Sequence, residues 1–255
     1  MTYAVEFNNV SRLYGDVRAV DGVTIAIRDG EFFSMLGPSG SGKTTCLRLI
    51  AGFEQLSGGT ISIFGKEASE LPPWERDVNT VFQDYALFPH MSILDNVAYG
   101  LMVKGVDKKK RHAQARDALE KVGLSFAIAR KPSQLSGGQR QRAWIAMVLA
   151  QETSIMLLDE PTTWLDISHQ IDLLELLSEL NRTQGYTLAA VLHDLNQACR
   201  YATHLIALRD GEIVAQGTPK EIVTPELIAR IYGMRCMIID DPVAGTPLVV
   251  PLGRR

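Results

Sequence analysis

The sequence predicts an α/β protein with an N-terminal antiparallel β-subdomain and an α-helical subdomain inserted into the α/β core. Residues 4–10 alternate between apolar and polar side chains, as a half-buried strand does. Residues 31–36 form an apolar strand pattern, and a glycine-rich segment joins it to a helical pattern at 46–52. Helical periodicity dominates from 84 to 149, which places the inserted subdomain at approximately 84–150.

The composition is that of an ordinary globular chain. Its 255 residues, of which 46% are hydrophobic, suffice for a sizeable core in one large domain or two small ones. The formal net charge of -3 gives no overall attraction to nucleic acid phosphates, and the basic run at 108–111 is better explained as a solvated helix start. The three cysteines are scattered and include no C-x-x-C pair, so neither a disulfide framework nor a zinc site is indicated.

The sequence offers no membrane span and no secretory signal. Residues 144–150 are among the longest apolar runs and fall far short of the roughly 20 residues that a spanning helix needs. The first residues lack the basic region and apolar core of a signal peptide. We therefore expect a cytoplasmic protein that contacts any membrane through a partner.

The glycine-rich segment matches the complete phosphate-binding motif G-x-x-x-x-G-K-[ST], the P-loop. Its glycines let the backbone wrap a phosphate, and the N–H groups of the loop and the first helical turn point at the anion. Lys43 is expected to reach the β- and γ-phosphates, and the Thr44 hydroxyl to bind Mg²⁺. The residues predicted to bind nucleotide here are Gly37, Ser39, Gly40, Gly42, Lys43, Thr44 and Thr45.

Two further strand patterns end in polar residues that suit phosphate chemistry. The apolar run 154–158 ends in Asp159 and Glu160, and parallel central strands end at the active edge of a sheet. Asp159 fits a residue that orients Mg²⁺, and Glu160 fits a general base that polarises a water toward the γ-phosphate. The run 187–192 delivers His193 in the same way, and a γ-phosphate contact is favoured over a purely structural role.

Three other features have two interpretations each. Gln83 ends the strand pattern 79–83, where it is either simply exposed or senses Mg²⁺ and the attacking water. Tyr14 precedes a glycine turn, and its ring either packs on the protein, the commoner role of a lone tyrosine, or stacks on adenine. The apolar, proline-interrupted segment 85–91 suits either a partner contact or a loop packed on its own subdomain.

A second candidate anion site lies far along the chain from the P-loop. The run 135–142 opens a helix with a hydroxyl and two glycines, and helix N-termini bind anions. One nucleotide cannot easily use both sites of one chain if the helical insert separates them. The second site is therefore interpreted as serving the nucleotide of a neighbouring subunit.

Taken together, these residues resemble the ATP-binding subunits of ABC transporters over essentially the whole chain. The signature segment 135–139, between a P-loop and a Leu-Leu-Asp-Glu strand with a later strand-end histidine, is highly specific for that family. The resemblance implies a P-loop NTPase core of the RecA type, ATP and Mg²⁺ as cofactors, and ATP hydrolysis coupled to transport. It also implies one ATP-binding domain over 1–255, without the C-terminal regulatory domain of some members.

The resemblance assigns roles to individual residues. It implies that Tyr14 stacks on adenine, that Gln83 is the Q-loop glutamine and that Asp166 is the D-loop aspartate. The catalytic residues that it implies are Glu160, the switch histidine His193 and Gln83. The metal-binding residues that it implies are Thr44, Gln83 and Asp159, the last being paired with Glu160 in the Walker B motif.

The resemblance also implies partners. On ATP binding, the chain would form a head-to-tail homodimer in which the signature segment of one subunit closes on the γ-phosphate held by Lys43 of the other. The signature residues that would contact this nucleotide are Ser136, Gly137, Gly138 and Gln139. Membrane permease subunits are the further expected partners, with the chain peripheral on the inner face of the plasma membrane and without direct contact to nucleic acid.

Two parts of the chain resemble different subfamilies. Up to Arg142, particularly at 85–91, the sequence resembles the ATPases of polyamine and ferric-ion or sulfate-type importers. From about Ala143, particularly at 162–170 and in the tail around 237–241, it resembles the ATPases of ferric-siderophore importers. The two subfamilies have similar sequences near 139–142, so a junction could lie there, and the split resemblance suggests a chimera, natural or constructed.

The leading hypothesis is an ATP-hydrolysing subunit that powers import of an iron–siderophore, ferric ion or polyamine. One alternative is a chimeric ABC ATPase with basal activity and no coupled transport. Another is a soluble ABC ATPase acting on nucleic acid, which the net acidity and the lack of a second cassette or long coiled-coil insertion disfavour.

Overall fold

A computed structural model gives the fold and describes residues 2–81, 87–163 and 165–253; Gln83 and Trp164 lie outside these ranges. The strands are β1 (Tyr3–Tyr14), β2 (Val17–Arg28), β3 (Phe32–Leu36), β4 (Gly58–Ile63), β5 (Lys66–Glu67), β6 (Val78–Val81), β7 (Ile155–Asp159), β8 (Thr187–Val191), β9 (His204–Arg209), β10 (Glu212–Gly217), β11 (Cys236–Asp240) and β12 (Pro247–Pro251). The α-helices are α1 (Lys43–Ala51), α2 (Ile93–Val103), α3 (Lys108–Lys121), α4 (Gly137–Ala150), α5 (Ile167–Gln184), α6 (Leu195–Tyr201), α7 (Pro219–Ile222) and α8 (Pro225–Tyr232).

The N-terminal strands form an antiparallel sheet in the order β2-β1-β4-β5. Val5, Phe7 and Val10 are buried beneath it. A register shift between Phe7 and Val10 coincides with a left-handed backbone at Asn9 (φ 51), and such a bulge lets side chains three positions apart face the same core. The predicted antiparallel subdomain is confirmed, with this interruption of the simple alternation.

The central sheet has the order β10-β9-β3-β8-β7-β6, and its strands are parallel except for β10. Phe32 and Leu36 of β3 belong to an apolar core shared with α4 and α5, whereas Phe33 and Met35 belong to a second core shared with α1 and the N-terminal sheet. Because both faces are covered, every residue of β3, β7 and β8 is buried. Burial of both faces of the sheet explains why these strands are almost entirely apolar in the sequence.

Strands β3, β8 and β7 are neighbours in the central sheet, so their carboxyl ends lie at one edge. The register pairs Met35 with Val191, and Val191 with Asp159. The P-loop follows β3, Asp159 ends β7 with Glu160 directly after it, and His193 follows β8. Parallel pairing therefore carries three polar segments, distant in sequence, to the same place.

Helices α2, α3 and α4 lie between β6 and β7 and form the inserted helical part of the fold. Within it, the buried amide of Asn96 fixes the residues that precede α2. Its Oδ1 accepts from the Phe88 N–H (2.7 Å), and its Nδ2 donates to the carbonyl oxygens of Phe88 (3.1 Å) and Ser92 (2.9 Å). The Phe88 ring also contacts Tyr99, with 4.5 Å between ring centroids. The described part of the segment 85–91 thus packs on its own subdomain.

The C-terminal elements pack back onto the central sheet. Asn196 of α6 accepts from the Val249 N–H of β12 (2.7 Å) and donates to the Val249 carbonyl (3.3 Å). Within the described ranges, every helix is too short or too polar to cross a bilayer.

Arg76 is a buried cation that anchors the far end of α1. Its guanidinium donates to the carbonyl oxygens of Leu49 (2.7 Å), Ile50 (3.0 Å) and Leu71 (2.8 Å). The last carbonyls of a helix lack the usual intrahelical partner; that of Leu49 also accepts from the Gly52 N–H (3.3 Å), and Arg76 adds charge-assisted donors to this end of α1. Since the other end of α1 carries the P-loop, Arg76 helps to fix the helix on which that loop is built.

We predict that Arg76→Met destabilises the protein by about 2–3 kcal/mol, because it removes several charge-assisted hydrogen bonds to backbone carbonyls in a buried place. Urea denaturation followed by far-ultraviolet circular dichroism measures the loss. Arg18→Met is the matched control, since Arg18 is largely exposed and pairs with Asp21 on the surface of β2, and it should change the midpoint little. Equal midpoints for the two variants would show that the α1 anchor is dispensable.

Candidate functional site

The P-loop is built where a buried strand turns into a helix. β3 ends at Leu36, and α1 begins at Lys43 with Gly42 as its N-cap. Gly37 (φ 149) and Gly42 (φ 102) have backbones that favour glycine, and a Cβ would lie 2.3 Å from the Leu208 carbonyl oxygen at the first and 2.4 Å from that of Ala19 at the second. Both the backbone conformation and the available space therefore require glycine at these two positions.

A cavity of about 300 Å³ lies over this loop. Its lining comes from the P-loop, from the residue after β7, from the segment after β8 and from β2. The lining residues are Ala19, Ser39, Gly40, Ser41, Gly42, Lys43, Thr44, Thr45, Glu160 and His193. The structure thus brings most of the predicted P-loop residues together with two of the three predicted catalytic residues. Gln83, the third, lies outside the described residues.

Lys43 supplies the positive charge of the cavity. Its Nζ donates to the carbonyl oxygens of Gly37 (2.8 Å) and Pro38 (2.7 Å), and the residue is only 6% exposed. Burial lowers the pKa of this ammonium, while the carboxylates of Glu160 and Asp159 act in the opposite direction. The ammonium is therefore held inside the curve of the loop, where its charge is available to an anion.

Thr44 and Asp159 form an oxygen pair beside Lys43. The Thr44 hydroxyl donates to Asp159 Oδ1 over 3.0 Å. Burial raises the pKa of Asp159, and the Thr44 hydrogen bond partly offsets this effect. Within the described ranges, no group of three or more histidine, cysteine, aspartate or glutamate side chains is placed to hold a metal. A hydroxyl and one carboxylate nevertheless fit Mg²⁺, which takes one or two carboxylates and completes its shell with water and phosphate oxygens.

Glu160 and His193 are in direct contact. His193 Nε2 lies 2.7 Å from Glu160 Oε2, and the Thr163 hydroxyl is 3.5 Å from the same oxygen. Glu160 has a left-handed backbone (φ 53), and its N–H donates to the Val191 carbonyl (3.2 Å). Strained backbones of non-glycine residues persist where surrounding bonds hold them, commonly at functional sites. The bond to β8 and the contact with His193 thus hold the Glu160 carboxylate at the cavity.

The signature segment lies apart from this cavity. Ser136 caps α4: its Oγ accepts from the Gln139 N–H (3.2 Å), and Gln139 Oε1 accepts from the Ser136 N–H (3.1 Å). Ser136 and Gly137 are exposed, and Gly138 is buried. None of the residues 136–139 belongs to the described lining of the P-loop cavity. The chain therefore presents its two candidate anion sites at separate places.

Two other predicted nucleotide contacts also lie away from the cavity lining. Asp166 is the N-cap of α5, and hydrogen bonds from His169 and Ser168 lower its pKa to about 2. Tyr14 is exposed, and the Arg12 guanidinium lies over its ring at 4.4 Å from the centroid. That contact matches the packing interpretation of Tyr14, and adenine stacking stays a prediction.

The structure also reveals site contacts that the sequence patterns did not indicate. The Gly37 N–H donates to the Tyr232 hydroxyl over 3.0 Å, although the two residues are 195 positions apart. Burial raises the pKa of Tyr232, which keeps the phenol protonated. Ala19 of β2 also lines the cavity. Ser41 lines it too, and its position inside the P-loop motif is enough to predict this. No local signal marks Tyr232 or Ala19, because both contacts depend on tertiary folding.

Comparisons with known proteins place this geometry in a family. Residues 20–163 match the ABC transporter family. The chain is 67% identical over 222 residues to the uncharacterized ABC transporter ATP-binding protein YdcT of Escherichia coli K12, which covers 87% of this chain and 66% of YdcT. It is 55% identical over 249 residues to the ferric enterobactin transport ATP-binding protein FepC of the same strain, in an alignment that covers 94% of this chain and 91% of FepC.

The solved structures agree. The dimeric structure of MJ0796, a bacterial ABC transporter cassette, superposes with a TM-score of 0.74 at 34% identity, covering 84% of this chain and 98% of that one. The predicted P-loop NTPase fold is confirmed by this likeness. Members of the family bind ATP, and the family is one of ATPases. The chain belongs to the ATP-binding proteins of ABC transporters.

Proposed function

We propose that the protein is the ATP-hydrolysing subunit of an ABC importer, with ATP and Mg²⁺ as cofactors. The observation that best supports this is the single cavity shared by the P-loop, Glu160 and His193, with the Thr44–Asp159 pair beside it. Phosphate-binding backbone, a buried cation, oxygen ligands and a carboxylate base are the parts that phosphoryl transfer to water requires.

The P-loop positions the triphosphate. Its N–H groups and Lys43 bind the β- and γ-phosphates, and the low exposure of Lys43 strengthens that attraction because water screens it little. Thr44, Asp159 and the Q-loop residue Gln83 would hold Mg²⁺, which when bound neutralises charge on the phosphate oxygens. The other loop residues, Gly37, Ser39, Gly40, Gly42 and Thr45, shape the cradle.

Glu160 acts on the attacking water. The carboxylate accepts a proton as the water oxygen forms its bond to the γ-phosphorus, and the bond from that phosphorus to the bridging oxygen breaks to release ADP. His193, 2.7 Å from Glu160 Oε2, orients the carboxylate and contacts the γ-phosphate. Gln83 assists in sensing this water.

The signature segment completes the site of a second copy. Ser136, Gly137, Gly138 and Gln139 lie outside the cavity of their own chain, and the exposed Ser136 and Gly137 are available to a partner. We propose a head-to-tail homodimer on ATP binding, with Asp166 and Tyr14 adding contacts to the sandwiched nucleotides. The dimeric form of the MJ0796 cassette supports this arrangement.

The solute class is proposed from the relatives. FepC is a ferric enterobactin transport protein, and its similarity extends over 94% of this chain, which favours an iron–siderophore importer over a ferric-ion or polyamine one. Permease subunits would hold the protein on the inner face of the membrane. We propose one ABC domain over 1–255 with its helical subdomain at about 84–150, and no direct contact with nucleic acid.

A second candidate is a chimeric ATPase that hydrolyses ATP without driving transport. This candidate rests on the resemblance of 85–91 to one subfamily and of 162–170 to another, whereas the similarities to YdcT and FepC each run over most of the chain and mark no junction. In this candidate the helical subdomain and Gln83 loop descend from one subfamily, whereas Asp159, Glu160 and His193 descend from another.

We predict that Glu160→Gln retains ATP binding and loses about 10²–10⁴-fold in turnover, because an amide of similar shape cannot accept the proton. Phosphate release and titration with a fluorescent ATP analogue measure the two properties. Lys43→Ala is the paired variant, and it should weaken nucleotide binding itself, since it deletes a charged phosphate contact. Unchanged turnover in Glu160→Gln would remove Glu160 from the base role.

The two candidates differ in cells. For the chimera we expect basal ATPase activity from the purified protein and no restored siderophore uptake in bacteria that lack their own siderophore ATPase subunit. The reason is that the permease-binding helical subdomain and the catalytic residues would come from different subfamilies. Uptake of radiolabelled iron–siderophore measures this, with the natural subunit as the positive control. Robust uptake would reject the chimera and leave the coupled importer subunit.

A further inference from the structure

His169 joins two segments that the proposed dimer needs. Its Nδ1 lies 2.7 Å from Asp166 Oδ1, and its backbone N–H donates to the same oxygen over 3.0 Å. A carboxylate of lowered pKa only accepts hydrogen bonds, so Nδ1 carries the proton in this contact. The imidazole thus holds the D-loop aspartate at the start of α5.

The opposite edge of the same ring lies against Gly138 in the signature segment. A Cβ at position 138 would be 2.1 Å from His169 Cδ2 and 2.9 Å from Nε2. Gly138 lies in a helix with an ordinary negative φ, so its backbone would accept alanine. At Gly137, by contrast, a Cβ would meet nothing within 4 Å. A methyl group at 138 would therefore meet the His169 ring, and it could be accommodated only if that ring left its position beside Asp166.

Two further hydrogen bonds hold the loop that joins β7 to α5, one near each of its ends. Gln141 of α4 donates to the Pro161 carbonyl, just after Glu160. Gln170 of α5 donates to the Leu165 carbonyl over 2.9 Å. This loop is therefore bonded to α4 and to α5. His169 contacts both Gly138 of the signature segment and Asp166.

We propose that His169 is a positioning residue that fixes the signature segment relative to Asp166 within one subunit, so that both reach the partner's nucleotide together. This inference rests on the proposed ATP-dependent dimer. The donor at Nδ1 sets Asp166, and the ring edge sets Gly138. A residue that merely capped α5 would affect the stability of the monomer and leave the dimer constant unchanged.

Two variants separate the two contacts. His169→Asn keeps a donor near Asp166 and withdraws the ring from Gly138, whereas His169→Phe keeps a ring at Gly138 and removes the donor. In a Glu160→Gln parent with Mg-ATP, we expect each to raise the dimer dissociation constant by about tenfold, the effect of losing one charge-assisted or tightly packed contact. Analytical ultracentrifugation measures this constant. Fluorescent ATP titration of the monomer should remain unchanged.

The decisive comparison adds Gly138→Ala. With His169 present, the alanine methyl collides with the ring, and we expect a further large loss of dimer. With His169→Asn, the ring is gone, and adding Gly138→Ala should raise the dimer dissociation constant about tenfold less than it does with His169 present, because only the collision with the ring has been removed. An equal loss in both backgrounds would show that Gly138 is needed for another reason and would overturn the inference.

Controls distinguish this inference from the proposed function. His112→Asn makes the same chemical change in the helical subdomain, where His112 pairs with Asp95 at 3.2 Å, and should leave the dimer constant unchanged. If the Glu160→Gln parent stays monomeric with Mg-ATP, the proposed dimer fails and the inference fails with it. If the parent dimerises and the His169 variants dimerise equally well, the inference alone is wrong.

Discussion

Parallel pairing of three buried strands is the constraint on which the site depends. β3, β8 and β7 have apolar cores on both faces, so charged side chains are placed where these strands end. Because neighbouring parallel strands end at one edge, the P-loop, His193 and Glu160 converge there without any local sequence contact. A register slip of one residue in this sheet would separate the hydroxyl of Thr44 from the carboxylate of Asp159.

Burial gives this edge its chemistry. Desolvation lowers the pKa of Lys43 and raises that of Asp159, so burial disfavours the charged form of both groups; Glu160 and Asp159 offset this effect at Lys43, and the Thr44 hydrogen bond offsets it at Asp159. In the proposed function, a triphosphate with a divalent cation would bring charges of both signs to this edge. The 2.7 Å contact between His193 and Glu160 would then hold the proposed base beside the bound phosphates.

The sequence was sufficient for the fold class and for most of the cavity lining, because the P-loop and the carboxylate strand are local patterns with strong geometric consequences. It was not sufficient for contacts that depend on tertiary packing. Tyr232 supports Gly37 from 195 positions away, and His169 fills the space beside Gly138. The bulge at Asn9 was also missed, since a register shift leaves no mark in a simple alternation.

In the proposed dimer, each nucleotide is bound between the P-loop of one subunit and the signature segment of another. Ser39 and Gly137 are exposed, while the native cysteines are buried, so Ser39→Cys and Gly137→Cys proteins carry one accessible thiol each. Mixed in the Glu160→Gln background under mild oxidation, they should form a disulfide-linked heterodimer only with Mg-ATP, and neither protein should cross-link alone. Failure of the ATP-saturated mixture to cross-link would contradict the proposed head-to-tail dimer.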